Sequence, residues 1–270
     1  MGYKVFIKEF GLGIAAYRSA FDFIIKNKLA YFYLAPLLIT IVLWVSGFIG
    51  LSFFTNWISA LFNNWFGVAL TESPFDLIND YKEIISQTGK ILVTIFLYIL
   101  MFYFVYRLNK YLMLILISPV LALLSEKVAV ILTGNDFPFN TRQFIKDTWR
   151  GTIIAIRNML IELSLIIALW ALTFAIPLFV PITTLILIFI SAYFYGFSMV
   201  DYTNERKKLN LSESINFIRK HKGFVIGNGL VYHFVFMIPF VGAVFAPITA
   251  AVAATLGIIE IDNKNVNKKP

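Results

Sequence analysis

The residues most able to do chemistry in this sequence are cationic side chains at the ends of long apolar runs. Arg107 and Lys110 follow the uncharged run 91–106, and Arg157 precedes another apolar run. Arginine and lysine bind anions, because they carry a positive charge and several N–H donors. Arg107 and Lys110 are three residues apart and share a helix face. They either line an anion path or extend into a headgroup layer, and the second role is favoured because both lie at the end of a predicted span.

A few other polar residues interrupt the apolar runs. Glu162 lies about a turn after Arg157, which favours an interfacial ion pair over a proton relay. His233 and Asn228 lie inside a later apolar stretch, where an ionisable group is a functional candidate and an interhelical hydrogen bond by His233 is the favoured role. The seven candidates for binding an anion or lining its path are Asn27, Lys28, Arg107, Lys110, Glu126, Arg157 and His233.

Several classes of chemistry lack the residues they need. The sequence has no cysteine, so it forms no disulfide and offers no thiolate ligand or thiol nucleophile. It also lacks the Gly-x-Ser-x-Gly, His-Glu-x-x-His and glycine-rich phosphate-binding motifs. These observations predict a protein that is not an enzyme and that uses no metal or cofactor.

Composition predicts an all-α integral membrane protein. Of 270 residues, 59% are hydrophobic and only 14% are charged, whereas about a quarter is usual in soluble domains. The net charge is +8, and its position beside apolar runs indicates cytoplasmic membrane flanks rather than binding of nucleic acid. We expect a single membrane domain over residues 1–262 and a polar tail at 263–270.

The first half of that domain predicts two long helices. Residues 1–28 form an amphipathic helix for the membrane interface, 31–66 the first span and its extension, and 90–134 a long second helix. Ser118-Pro119 predicts a bend or restart in the second helix. The acidic connection 71–90 is the only one that is not basic, so it is expected outside, with both termini in the cytoplasm.

The second half predicts two helical hairpins with proline at their tips, at 141–200 and 223–260. Their arms are near the lower limit for a membrane span, so each either crosses twice or enters partway and returns. Re-entrant backbone must be buried in protein or line a wet cavity, which favours an oligomer or a conduit. Between them, 211–222 predicts a basic amphipathic helix, opened by a capping box of Asn210 and Glu213.

Three motifs carry a family resemblance. The first runs from Ser118-Pro119 through Ser125-Glu126-Lys127-Val128 to Leu132-Thr133-Gly134. The second is Asp201-Tyr202 followed by the segment 217–224, and the third is Ile238-Pro239-Phe240 with Ala246-Pro247. In this pattern the chain resembles the CysZ family of bacterial sulfate permeases, within the etoposide-induced membrane protein family. It departs from the family in having Val241-Gly242 where an asparagine is usual.

The resemblance implies two long transmembrane helices, two membrane-dipping hairpins, homo-oligomeric assembly and movement of sulfate across the bacterial inner membrane. Sulfate permeases of this family carry a Gly-Leu-Arg-Arg-like element before the first span. The matching stretch here is Lys28-Leu29-Ala30-Tyr31, which has no arginine. Lys28 alone is a poorer oxyanion ligand than a pair of guanidinium groups.

Two functions follow from these observations. The first is a multi-pass permease or channel for a small inorganic anion, with sulfate as the leading candidate and without ATP coupling. The second is a non-transporting structural or accessory subunit of a bacterial membrane complex. The missing arginine pair and the broad aromatic surface motivate the second.

Overall fold

A computed structural model describes residues 2–69, 76–134, 141–238 and 240–266. Over these residues the structure is helical and contains no strand. Eight α-helices follow one another: α1 Tyr3–Lys26, α2 Leu34–Ala69, α3 Asp76–Thr133, α4 Thr141–Ala175, α5 Val180–Arg206, α6 Leu211–Lys220, α7 Lys222–Phe236 and α8 Val241–Val266. Two short 3-10 helices, Leu29–Tyr33 and Pro177–Phe179, precede α2 and α5.

The helices divide into two compact units. One unit comprises Met1–Thr40 and Met113–Pro270, and the other comprises Ile41–Leu112. The described residues of the second unit belong to α2 and α3. Many of its described side chains are large, apolar and exposed, with Phe53 72% and Phe96 63% exposed, as expected for surfaces that face lipid.

The core of the first unit lies where α1, α5, α7 and α8 meet. A β-carbon at Gly229 of α7 would lie 1.7 Å from the backbone oxygen of Ala192 in α5, and one at Gly196 would lie 1.9 Å from that of Val225. Only glycine permits this approach of two backbones. In a membrane, where lipid is as apolar as the side chains, such close packing is a main source of attraction between helices. Helix α8 is largely buried, and its residues Ala250–Ala254 are almost fully enclosed.

Helices α4 and α5 form an antiparallel hairpin about the turn at Pro177–Phe179. Thr173 bonds Thr183 near the turn, and Glu162 bonds Ser191 further from it. The residue numbers fall along α4 as they rise along α5, as expected for antiparallel helices. The arms are longer than the sequence predicted, since α4 has 35 residues and α5 has 27. Both are therefore long enough to cross a bilayer.

Helices α7 and α8 form the second hairpin, and its arms are unequal. Helix α7 has 15 residues, a length of about 22 Å, which is shorter than the hydrocarbon core of about 30 Å. Helix α8 has 26 residues. Within the described ranges, five stretches are long and apolar enough to span a membrane: Leu29–Phe54, Tyr111–Leu132, Thr148–Ala175, Pro177–Glu205 and Val241–Lys264.

Several predicted boundaries change in the structure. Pro119 lies inside α3, so the helix does not restart at Ser118-Pro119, because a long helix can continue past one lost backbone hydrogen bond. The alternative, a bend at this position, stays a prediction. Residues 76–90, predicted as part of the acidic loop, form the first turns of α3. Helix α8 extends into the predicted polar tail as far as Val266. Residues 70–75 and 267–270 lie outside the described residues.

The capping box predicted for α6 is confirmed. The Asn210 side chain accepts a hydrogen bond from the Glu213 backbone N–H at 3.0 Å, and the Asn210 backbone N–H donates to the Glu213 carboxylate at 2.7 Å. This reciprocal pair satisfies two donors at the start of the helix. Ser214 and Ile218, a turn apart, then face the interior.

Candidate functional site

The turn between α1 and α2 holds two of the predicted residues. Asn27 ends α1 and donates its side-chain amide to the carbonyl of Phe23 at 2.8 Å. Lys28 follows with φ 56° and ψ 34°, the left-handed region, and its side chain is exposed. Only glycine adopts this region without steric cost, so the turn holds a lysine where the backbone favours glycine.

A second lysine approaches this turn from α3. The Lys127 ammonium donates to the Tyr31 hydroxyl at 2.7 Å and lies 5.3 Å from the centre of its ring. Lys28 is the residue directly before the 3-10 helix Leu29–Tyr33 and lies three positions before Tyr31 in the sequence. The Tyr31 oxygen accepts from Lys127, so its own proton remains available for donation. We call Lys28, Tyr31 and Lys127 the lysine–tyrosine cluster.

Three other candidates lie on α3. Glu126 precedes Lys127 and is half-buried, and it forms neither a hydrogen bond nor an ion pair with the described side chains. Arg107 and Lys110 belong to α3 by their backbone, but their side chains lie outside the described residues. Their predicted roles therefore stay predictions.

Arg157 lies on α4 and contacts different partners from those predicted. Its guanidinium donates to the Asn158 side-chain oxygen at 3.1 Å and lies 5.8 Å from the centre of the Phe197 ring. Glu162 is buried and accepts from the Ser191 hydroxyl at 2.7 Å. This bond connects Glu162 to α5, and its predicted ion pair with Arg157 stays a prediction.

His233 lies at the interface of α5 and α7. Its ring centre is 6.0 Å from that of Tyr195, which stacks on Tyr232 at 4.2 Å. One turn before it, the buried Asn228 side chain donates to the carbonyl of Ala250 in α8 at 3.3 Å. His233 and Arg157 thus contact α5 at different residues, and neither belongs to the lysine–tyrosine cluster.

The structure also forms a buried polar network that sequence reasoning missed. The Asp201 carboxylate accepts from Arg150 at 3.0 Å and from the Ser214 hydroxyl at 2.5 Å. Arg150 also donates to the Leu209 carbonyl at 2.6 Å, and Asn204 donates to Ser214 at 3.0 Å. The network fastens α6 to the α4–α5 hairpin. The sequence signal that could have pointed to this network is Asp201, a single aspartate directly after the uncharged run 182–200.

A second missed contact joins residues far apart in sequence. His221 Nδ1 lies 2.8 Å from a Glu9 carboxylate oxygen, and both side chains are largely buried. The Tyr17 hydroxyl donates to the Asn228 carbonyl at 2.8 Å, and burial raises the pKa of the Tyr17 phenol well above its ordinary value. These contacts hold α1 parallel to α7, and no local pattern in the sequence predicts either one.

Comparison with protein families gives a match over most of the chain. Residues 16–247 match the family described as sulfate transporter CysZ/etoposide-induced protein 2.4. That range contains the lysine–tyrosine cluster, Arg157 and His233. None of the curated proteins matches the chain significantly.

Proposed function

Because the chain belongs to the sulfate transporter CysZ/etoposide-induced protein 2.4 family, we propose that it is a permease or channel for a small inorganic anion. The family match and the five candidate spans identify it as a multi-pass membrane protein of a transporter family. We further propose that the anion is sulfate or a close relative and that it moves down its gradient without ATP.

The lysine–tyrosine cluster is the observation that carries this proposal. The family resemblance aligns Lys28 with the glycine of the Gly-Leu-Arg-Arg-like element, and the left-handed backbone of Lys28 supports that alignment. Ala30 and Tyr31 then occupy the arginine positions. Lys127 brings a cation to Tyr31 from another helix, so part of the missing positive charge is supplied from α3.

Such a cluster suits a weakly held anion. Two ammonium groups and one phenolic O–H offer charge and donors but not the planar fork of an arginine. An oxyanion would therefore dissociate readily, which a conducting path requires. Tyr31 is 48% exposed, so the cluster is accessible to solutes.

The proposed function also includes a cellular location, a topology and an oligomeric state. We place the protein in the bacterial inner membrane with both termini in the cytoplasm, since the connection 71–90 is the acidic one. We also propose a homo-oligomer. Only 6% of the most apolar window of Leu29–Phe54 is buried within one chain, so copies of the chain or lipid must cover that helix.

Uptake of labelled sulfate into proteoliposomes tests the proposal. We expect wild-type uptake above that of empty vesicles, and a several-fold lower initial rate for Lys28→Gln and Lys127→Gln. Lys4→Gln is the matched control, because Lys4 is an exposed lysine at the far end of α1. Uptake equal to that of empty vesicles, for both sulfate and chloride, would contradict the proposal.

The second candidate function is a non-transporting subunit. The observation that favours it is the exposed Ala30, which offers no donor at an arginine position. Purification in mild detergent followed by mass spectrometry separates the two functions. A foreign protein present at fixed stoichiometry supports a subunit, whereas a pure homo-oligomer with sulfate flux supports the permease.

A further inference from the structure

Hydrogen-bond donors gather near the middle of the α4–α5 hairpin, beyond Glu162 and Ser191 as seen from the proline turn. They come from Arg157 and Asn158 on α4, Tyr193 on α5 and Arg219 on α6. None of these side chains belongs to the lysine–tyrosine cluster. Ion pairs such as Arg150 with Asp201 and Lys207 with Asp262 engage other side chains.

Arg157 has donors to spare. One of its terminal nitrogens donates to the Asn158 side-chain oxygen, and its plane lies near the face of Phe197. A guanidinium carries five N–H donors in a fork that matches the geometry of sulfate and phosphate. The contacts with Asn158 and Phe197 therefore orient the group and leave most of its donors available.

Asn158 supplies an independent observation. Its side chain is 1% exposed, and its amide nitrogen has no hydrogen-bond acceptor in the part of the chain that the structure describes. Buried donors in native proteins are nearly always satisfied, so such a group calls for a ligand or a bound water. The oxygen of the same amide is occupied by Arg157, so the side chain offers a donor only.

Tyr193 and Arg219 complete the group. The Tyr193 ring meets Phe197 edge-on at 6.1 Å, so Tyr193 and Arg157 flank the same ring. Arg219 lies on α6, which packs against α5, and Arg157 and Arg219 are the two cations whose charges act on the Tyr193 hydroxyl. Glu162 lies about one turn further along α4 toward the proline turn and is engaged with Ser191, so an anion is expected on the Arg157 side of this carboxyl group.

The position of the group fits the membrane boundary. The helix from Arg157 to Ala175 at the proline turn is about 27 Å long, close to the thickness of the hydrocarbon core. If the turn lies at one face of the bilayer, Arg157 lies at the other, at the depth of phosphate headgroups. This placement rests on the proposed function, under which the hairpin is embedded in the membrane.

We propose that Arg157, Asn158, Tyr193 and Arg219 form a second binding site, for a tetrahedral oxyanion. The ligand is a sulfate or phosphate group held by arginine N–H groups, the Asn158 amide and the Tyr193 hydroxyl. Its source is either free anion in solution or the phosphate of an anionic lipid. The two sources share the same recognition chemistry, and the experiment separates them.

The test measures binding directly on purified, delipidated protein in a neutral detergent. Equilibrium dialysis with labelled sulfate gives a dissociation constant for the wild type, Arg157→Gln, Arg219→Gln and the double variant. We expect the double variant to weaken sulfate binding at least tenfold. Arg18→Gln, an exposed arginine on α1, should stay within twofold. Arg157→Lys keeps the charge, so it should lose less affinity than Arg157→Gln.

Native mass spectrometry of protein extracted with phosphatidylglycerol provides the second arm. Loss of retained lipid in the double variant, with no sulfate binding by the wild type, assigns the site to a lipid phosphate. Unchanged sulfate affinity and unchanged lipid retention in a double variant that elutes as the wild type would overturn the site.

Sulfate flux through the same preparations keeps the two proposals apart. If the wild type conducts sulfate and the double variant binds sulfate as the wild type does, the second site is refuted and the permease proposal stands. If the wild type conducts no sulfate but the double variant binds sulfate more weakly, the permease proposal is refuted and the second site stands.

Discussion

Two glycines in α1, two residues apart, should respond to the same substitution in opposite directions. A β-carbon at Gly13 would lie 2.5 Å from the backbone oxygen of Phe224 and 2.7 Å from the backbone nitrogen of Asn228, whereas one at Gly11 would meet nothing within 4 Å. Ordinary contacts of a β-carbon begin near 3.4 Å. Gly13→Ala must therefore move α1 away from α7 by roughly 1 Å, because backbone atoms cannot rotate aside.

The magnitudes follow from two opposing effects. Alanine favours a helix over glycine by about 1 kcal/mol, and this applies to both positions. Overpacking against a rigid neighbour costs about 1–3 kcal/mol, and the contact with backbone puts Gly13 at the upper end. We expect Gly13→Ala to destabilise by about 2 kcal/mol and Gly11→Ala to stabilise by about 1 kcal/mol. At about 2–4 °C per kcal/mol, the melting temperatures should differ by roughly 6–12 °C.

Thermal unfolding in one detergent, followed by intrinsic fluorescence and by recovery of the native elution peak, measures this difference. Gly50→Ala in α2 is a second control, since a β-carbon there also meets open space. If Gly13→Ala proved as stable as Gly11→Ala, the close packing of α1 on α7 would be wrong. The core of the first unit would then need a different arrangement.

Three further predictions concern single contacts. Asp201→Ala leaves Arg150 without its carboxylate and should cost about 3 kcal/mol, whereas Asp262→Ala breaks an exposed pair and should cost at most about 1 kcal/mol; equal melting temperatures would contradict this. Asn210→Ala removes the cap of α6 and about 1 kcal/mol, so trypsin should cleave near α6 faster in this variant, and unchanged cleavage would count against the cap. The pKa of the Tyr17 phenol is raised above 10.0 chiefly by burial, so its contribution to stability is complete below pH 10 and lost as the pH rises through the folded-state value. Tyr17→Phe should therefore flatten the fall in melting temperature above pH 10, and parallel curves for variant and wild type would refute it.

Local chemistry explains which predictions from the sequence succeed. The capping box at Asn210 and Glu213 depends on residues three apart, and the turn at Pro177 depends on a residue that cannot continue a helix. Such signals act within a few residues and survive in any tertiary context. The predicted restart of the helix at Ser118-Pro119 fails for the converse reason. One proline disfavours a helix locally, but the apolar residues around it favour a continuous helix in a membrane, where backbone groups must be satisfied internally.

The candidate site was only partly predictable for a related reason. Lys28 is a candidate because the family resemblance places it in the stretch that matches the Gly-Leu-Arg-Arg-like element, and Arg157 because it flanks an apolar run. Tyr31 and Lys127 are separated by nearly a hundred residues, and Asp201 pairs with an arginine on a different helix. A sequence shows that such residues are present and charged, but the partner of each depends on how the helices cross.

By itself, the sequence determined the class of the protein and its parts: long apolar helices, proline turns, basic flanks and the family they match. Hydrophobicity and helix periodicity are properties of short stretches, so they can be recognised in the sequence before the tertiary structure is known. Only the tertiary structure decided which polar groups meet, because contacts such as Glu9 with His221 and Gly13 with Phe224 depend on two backbones approaching from distant parts of the chain. The charges that can hold an anion were visible in the sequence, whereas their grouping into sites was not.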